Sequence, residues 1–263
     1  MSLAEPFPQP FWDTATPDLP VRGFLHRPDA PNHDALILTH GAGSNCRTPL
    51  LVALADAFCA SGFTILRCDL PFRQSRPTGP PPRGSAERDQ AGLRAAVTAL
   101  HCEMKKLGAP GPGSPQTDHR LWGGDLASGT WEGSQLATDL KQQKSPRIFL
   151  GGHSYGGRQA SILAASDPAL VAALLLLSFP LHPPQRPEEL RSKHFPHLQT
   201  PALFVHGARD GFGSIEEMET ALRLIPARTQ LLPIDSAGHE LLGVRNRREL
   251  PQLVVSAFLS LIA

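Results

Sequence analysis

Short, almost wholly apolar runs alternate along this chain with longer segments of helical spacing, and nothing else in the sequence constrains the fold as tightly. The runs are Ala35–Thr39 (ALILT), Thr64–Cys68 (TILRC), Arg147–Leu150 (RIFL), Ala173–Ser178 (ALLLLS), Ala202–Val205 (ALFV) and Gln230–Ile234 (QLLPI). Strands without a polar alternate are covered on both faces, as in a parallel sheet. Between them, Pro49–Ala60, Ala86–Leu107, Tyr155–Ser166, Ile215–Leu224 and Arg247–Leu261 carry apolar residues at helical spacing. This β-α-β repetition predicts an α/β protein, a doubly wound, mostly parallel sheet with helices on both faces. At 263 residues and 41% apolar content, the chain suits one such domain.

The expected organisation is an irregular, Pro-rich arm over residues 1–20 followed by a single domain over 21–263. Residues 109–135, rich in Gly, Pro and Ser, interrupt the rhythm and read as a surface insertion leaving from the N-terminal edge of the sheet. The connection after Ser178 is short and Pro-rich, with room for one helix at Glu188–His194, so any cap is minimal. Charge is balanced, 25 Lys+Arg against 24 Asp+Glu, which gives no electrostatic reason to expect nucleic acid or an anionic membrane. A small-molecule substrate is the expected partner. Cys46, Cys59, Cys68 and Cys102 form no CxxC pair, as suits a reducing compartment. The N-terminus has no basic start with an apolar run, and Ala169–Leu177 is too short to span a bilayer, so the expected location is cytoplasmic.

The chemistry-bearing segment is RIFLGGHSYGGRQASILAAS. Gly152-His153-Ser154-Tyr155-Gly156 is a G-x-S-x-G element with a strand leading in and a helix leading out, the setting that projects a serine hydroxyl above a sheet. A hydroxyl needs a base to become a nucleophile. Among eleven histidines, His239 follows the run Gln230–Ile234 and so falls at the same, C-terminal edge as Ser154. His26, His33, His101 and His119 fall elsewhere, His206 closes a strand and reads as packed, and His182, His194 and His197 follow a different strand. No cofactor or metal motif is evident, since the H-x-x-H of His194 and His197 lacks a carboxylate partner and Gly41-x-Gly43 lacks the third glycine of a dinucleotide fingerprint. Asp210, in VHGARDGFG, is placed to fix the imidazole, with Asp235 as the rival. Backbone donors for a developing oxyanion are expected from Tyr155 N–H and from the His40-Gly41-Ala42-Gly43 loop. There Ala42 N–H is preferred, with Gly41 or Gly43 as alternatives. Arg73 and Arg76, with Arg83, follow Thr64–Cys68 and are candidates for an anionic substrate; Phe179 and Phe212 are further candidate substrate contacts.

HGAG, GHSYGGR, GARDGFG and SAGHE, spread from Leu36 to Ile262, resemble the α/β-hydrolase superfamily. GG-x-S-x-GGR and RCDLPFRQSR resemble its compact, lidless branch of dienelactone-hydrolase-like and testis-expressed hydrolase-like proteins. Dienelactone hydrolases proper use a cysteine nucleophile, where this chain has Ser154. The resemblance implies an α/β-hydrolase fold and a serine hydrolase of small esters, thioesters or lactones acting through an acyl-enzyme on Ser154. The competing readings are a silent interaction module on the same fold and a C–C bond hydrolase or perhydrolase using the same residues.

Overall fold

A computed structural model describes residues 8–108, 146–235 and 237–263. In chain order the elements are β1 (Gln9–Asp13), β2 (Val21–His26), β3 (Ala35–Thr39), α1 (Pro49–Ala60), β4 (Thr64–Cys68), α2 (Pro71–Ser75) and α3 (Ala86–Gly108). They are followed by β5 (Ile148–His153), α4 (Tyr155–Ser166), β6 (Leu174–Leu177), β7 (Ala202–Gly207), α5 (Ile215–Leu222), β8 (Thr229–Ile234) and α6 (Leu250–Ile262). The sheet has eight strands in the order β1-β2-β4-β3-β5-β6-β7-β8. β1 and β2 pair antiparallel with each other, and β2 pairs antiparallel with β4; every other neighbour is parallel.

The apolar runs become buried strands because each carries side chains to both faces. In β3, Ala35 and Ile37 join one core while Leu36 and Leu38 join the other, as the two-residue strand period requires. The first core is closed by α3, α4 and α5 through residues such as Leu93, Leu100, Leu163 and Met218. The second is closed by α1 and α6, where Phe58, Phe63, Phe149 and Phe258 meet at centroid distances of 5.3–6.0 Å, mostly edge to face. Among the described residues no helix is long and apolar enough to cross a membrane, and all four cysteines are free thiols.

Several expectations change. The stretch expected as an irregular arm contains β1, in which Gln9 to Asp13 pair with Leu25 to Val21. Its residues have no apolar alternation because the strand lies at the sheet edge and is mostly exposed; backbone pairing, which leaves little trace in side chains, holds it. Glu188–His194 is not helical, and the connection from Phe179 to Thr200 holds only a 3₁₀ turn at Phe195–His197. Pro187 and Pro196 bracket that segment, so a helix there has no room to propagate. The last helix starts at Leu250, not Arg247, because Pro251 has no N–H and suits the first turn. The insertion at 109–135 lies outside the described residues.

Phe58 is wholly buried at the crossing of α1, α6 and the sheet. Phe58→Ala is expected to cost about 3–5 kcal/mol, a fall in Tm on the order of 10 °C. Thermal unfolding followed by circular dichroism measures it. A shift of under about 2 °C would mean that this aromatic cluster does not hold α1 and α6 to the sheet.

Candidate active site

The parallel ladders bring the C-terminal ends of five strands to one edge. Thr39 pairs with Gly152, His153 with Leu177, Leu177 with Val205, and Gly207 with Ile234. The loops that leave β3, β5, β7 and β8 carry His40–Gly43, Ser154, Asp210 and His239.

Ser154 takes φ 51° and ψ −115°, a backbone state that a non-glycine residue adopts only when its surroundings force it. Its N–H donates to the Leu177 carbonyl at 2.8 Å, tying it to β6, and its carbonyl accepts from Arg158 N–H at 2.9 Å, starting α4. The turn is so tight that a Cβ on Gly152 would stand 2.6 Å from the Gly156 carbonyl carbon, and one on Gly156 would stand 2.5 Å from the His40 carbonyl oxygen. Those two glycines are therefore steric necessities for the approach of strand, helix and the β3 loop.

From Ser154 a continuous hydrogen-bonded path leads inward. Ser154 Oγ lies 2.8 Å from His239 Nε2, and His239 Nδ1 lies 2.8 Å from Asp210 Oδ2. Asp210 is buried, and its second oxygen accepts from Phe212 N–H at 2.9 Å. Burial pushes this carboxyl up, but the His239 hydrogen bond and charge, the Phe212 N–H and His206 together hold it below the ordinary carboxylate value. An ionised Asp210 fixes the His239 tautomer with Nδ1 protonated, which leaves Nε2 as the acceptor facing the serine. Asp235 makes no such contact and is exposed just beyond β8. Gly207 has a different reason from turning freedom. A Cβ there would stand 2.5–2.6 Å from the Gly238 and Ala237 carbonyl oxygens, so glycine lets the His239 loop lie directly on the end of β7.

The β3 loop is built to aim backbone groups. His40 is wholly buried; Nδ1 lies 2.8 Å from the Gly41 carbonyl oxygen, and Nε2 accepts from Leu70 N–H at 3.1 Å. Accepting at Nε2 leaves the proton on Nδ1, which donates to Gly41. In a trans peptide the N–H points opposite to the C=O, so fixing the Gly41 carbonyl directs Ala42 N–H the other way. Gly41 itself lies against the serine, since a Cβ on it would be 3.5 Å from Ser154 Cβ. Tyr155 N–H is the first of α4, among those a helix leaves without an internal acceptor.

Not all of the expected substrate contacts are at the surface of this edge. Arg73 is buried, and its guanidinium is held by four backbone carbonyls: Nε donates to Ser44 (2.7 Å), Nη1 to Arg76 (2.9 Å), Nη2 to Ala42 (2.7 Å) and Gly79 (2.8 Å). It clamps the β3 loop and does not receive an anion. Arg76 is exposed and contributes its carbonyl to that clamp. Phe179 is wholly buried against Phe195 and Phe204, a core residue and not a substrate contact. Phe212 does reach the site, with its ring 4.3 Å from that of His239.

Three residues at this edge were not singled out by sequence reasoning. His153 Nε2 lies 2.8 Å from the His239 carbonyl oxygen, fastening the His239 loop to the Ser154 turn. Buried Asp89 accepts from Tyr155 Oη at 2.7 Å and from Phe72 N–H at 3.0 Å, holding the start of α4 against α2. Arg158, one turn into α4, makes no hydrogen bond or ion pair with its side chain among the described residues. His153 and Arg158 stand inside the GGHSYGGR motif, so position was their only sequence signal; Asp89 had none.

An alpha/beta hydrolase domain model matches residues 130–256. Among solved structures, a dienelactone hydrolase from Anabaena variabilis is 19% identical with a TM-score of 0.64, covering 97% of this chain and 99% of that one. A serine hydrolase homologue from Coxiella burnetii is 15% identical with a TM-score of 0.65, covering 98% and 99%. A serine hydrolase without a lid from Xanthomonas campestris is 14% identical with a TM-score of 0.64, covering 100% and 99%. The chain is similar to each of them over nearly its whole length, with the same fold.

Several histidines of this protein are held neutral. Burial, then the Arg67 charge, lowers His26 to about 4, and burial, then the Arg158 charge, lowers His194 to about 4. Burial likewise lowers His40, His153 and His206. Between the ordinary value of 6.5 and about 4 the unfolded chain binds protons that the folded one refuses. Stability therefore falls as pH decreases through that window, and Asp210 adds to the fall at lower pH. Urea midpoints at pH 7.5, 6, 5 and 4.5 are expected to decline steadily, and a flat profile would contradict neutral burial of these rings.

Proposed function

We propose that this chain is a serine hydrolase of the α/β-hydrolase superfamily that cleaves a small carboxylic ester, thioester or lactone through an acyl-enzyme on Ser154. The observation that carries the reading is the path Ser154–His239–Asp210, with both contacts at 2.8 Å and a strained serine backbone at its head. A scaffold has no physical need to hold Ser154 at positive φ in contact with an imidazole, which argues against a silent module.

In this reading His239 Nε2 takes the Ser154 proton as Oγ attacks the carbonyl carbon, and Asp210 stabilises the imidazolium. The tetrahedral oxyanion is received by Tyr155 N–H and Ala42 N–H, donors already oriented before substrate arrives. His239 then gives its proton to the leaving oxygen or sulfur. Water, deprotonated by His239, attacks the acyl-enzyme and releases the acid. Arg73 acts through the loop it clamps, and is a positioning residue. In this reading the segment from Arg73 to Ser85 and the connection from Phe179 to Thr200 border the Ser154 edge, and among the described residues neither holds a helix longer than the short α2. Cover of this length suits a shallow cleft better than a tunnel for a long acyl chain.

A fluorophosphonate probe is expected to add to Ser154, located by mass spectrometry, and Ser154→Ala to abolish labelling; an adduct on another serine would overturn the assignment. With p-nitrophenyl butyrate, His239→Ala and Asp210→Asn are expected to lower kcat roughly 10³-fold or more. Arg73→Met, which leaves the donor loop unclamped without removing a donor, is expected to lower kcat roughly 10- to 100-fold with little change in KM. Across an ester series, kcat/KM is expected to fall beyond roughly eight acyl carbons, since an open cleft buries few methylenes. A rate that climbs to long chains would reveal a buried acyl channel.

A further inference from the structure

Helices α2, α3 and α4 meet at one buried side chain. Asp89, in the first turn of α3, is shut off from solvent, and both of its carboxyl oxygens accept hydrogen bonds. Oδ1 takes Phe72 N–H at 3.0 Å, and Oδ2 takes the Tyr155 hydroxyl at 2.7 Å. Phe72 belongs to α2, whose N-cap residue Leu70 has no side chain able to cap, so Phe72 N–H is one of the donors that a helix start leaves open. Asp89 supplies the acceptor from the neighbouring helix. One turn further along α3, a Cβ on Gly92 would stand 2.3 Å from Pro71 Cγ, so α3 lies as close to α2 as glycine permits. Ring packing joins the same parts: Phe72 lies 5.7 Å from Tyr155 and 5.6 Å from His40, edge to face in both cases.

Each oxygen of Asp89 leads to a different side of Ser154. The residue after Phe72 is Arg73, whose guanidinium holds the Ala42 and Ser44 carbonyls, each at 2.7 Å. Tyr155 follows Ser154 directly and carries the first N–H of α4. One oxygen therefore reaches the loop that presents Ala42 N–H, and the other reaches the helix start that presents Tyr155 N–H. The pairing of Thr39 with Gly152 also joins these two segments, but it fixes the height of the strands and not the separation of N–H groups standing above them. Two donors stabilise an oxyanion together only when both reach it at once, so their spacing bears on the rate.

We infer that Asp89 is a positioning residue that sets the spacing of the Ala42 and Tyr155 donors, the first through Phe72 and Arg73 and the second through the Tyr155 side chain. The inference rests on the serine-hydrolase reading of Ser154. Asp89 touches neither substrate nor the reacting atoms. Its loss weakens contacts made to the oxyanion in the transition state and leaves ground-state binding nearly unchanged, so the effect falls on kcat. Asparagine preserves the geometry. Its oxygen accepts from Phe72 N–H and its amide donates to Tyr155 Oη, whose own hydrogen turns to Ser85 Oγ, 3.4 Å away.

The test combines p-nitrophenyl butyrate turnover with inhibition by butyl trifluoromethyl ketone. Ser154 Oγ adds to the ketone carbon, the hydroxyl proton passes to His239, and the ketone oxygen becomes an alkoxide facing the two donors. Asp89→Ala is expected to lower kcat about 10- to 100-fold with KM within about threefold, and to weaken the inhibitor by a similar factor. Asp89→Asn is expected to stay within about threefold of the intact enzyme in both measurements. Tyr155→Phe removes one arm and keeps the backbone donor; it is expected to lose about 3- to 10-fold in both, and serves if Asp89→Ala does not fold. Tyr155 is the one tyrosine of the chain, so nitrogen-15 labelling of tyrosine yields a single amide resonance, that of the donor itself. The resonance is expected to move downfield when the inhibitor binds, and to move less in Asp89→Ala. Unchanged kcat and inhibitor affinity in a folded Asp89→Ala or in Tyr155→Phe overturns the inference. So does a fall in kcat with inhibitor affinity retained, since the donor pair is then intact, and so does an Asp89→Asn enzyme as impaired as Asp89→Ala. If the intact protein neither hydrolyses the ester nor binds the inhibitor, the hydrolase reading fails separately, and the unliganded Tyr155 resonance reads the contact alone. Displacement in Asp89→Ala with recovery in Asp89→Asn supports the positioning role, and an unmoved resonance in Asp89→Ala overturns it.

Discussion

Parallel pairing of β3, β5, β6, β7 and β8 sets the height at which each strand ends, and the site is a consequence of that levelling. Thr39 stands beside Gly152 and Gly207 beside Ile234, so loops that leave these strands emerge within reach of one another. A one-residue slip between β5 and β6 would move the Leu177 carbonyl that holds Ser154 N–H, and would turn the apolar residues of β6 toward the wrong core. The two cores and the edge that carries Ser154, Asp210 and His239 therefore depend on the same register. Apolar packing on both faces fixes the register, and the register places the chemistry.

On that edge, backbone atoms perform much of the work usually credited to side chains. His40 and Arg73 together engage carbonyls of Gly41, Ala42, Ser44, Arg76 and Gly79, and the fixed Gly41 carbonyl sets the direction of Ala42 N–H. His153 does the same for the far side by holding the His239 carbonyl. Each of these residues is polar and buried, and each is satisfied by a partner whose orientation matters. The arrangement is preorganised: the donors are directed by contacts that exist without a ligand.

How much of this was legible in the sequence depended on what each residue answers to. The strand runs were legible because burial on both faces leaves an unbroken apolar signature, and Ser154, Asp210 and His239 were legible because each follows such a run. β1 was missed because an exposed edge strand is held by main-chain bonds that place little demand on side-chain type. The Glu188–His194 helix was expected from composition, but Arg191 N–H is committed to the Leu181 carbonyl and cannot close a helical bond, and the segment runs through turns instead. Arg73 was read as a substrate cation because a sequence shows charge without showing direction. The same blindness hid Arg158, which looked like part of a motif and is a guanidinium without an anion.

The Arg73 clamp also divides the segment that follows it into two parts with unequal freedom to change. Residues from Arg76 to Gly79 supply carbonyls to the clamp, so an insertion or deletion there would pull a carbonyl away from the guanidinium and release the donor loop. Beyond Gly79 the chain runs through Pro80, Pro81 and Pro82 to Ser85 with no tie to Arg73. Length and composition can drift between Pro80 and Gly84 without touching the clamp, whereas Ser85 is again tied to this edge through Tyr155 Oη. The rim of the cleft can thus be remodelled for new substrates while its floor stays fixed, and the boundary between what can diversify and what cannot falls at a single glycine.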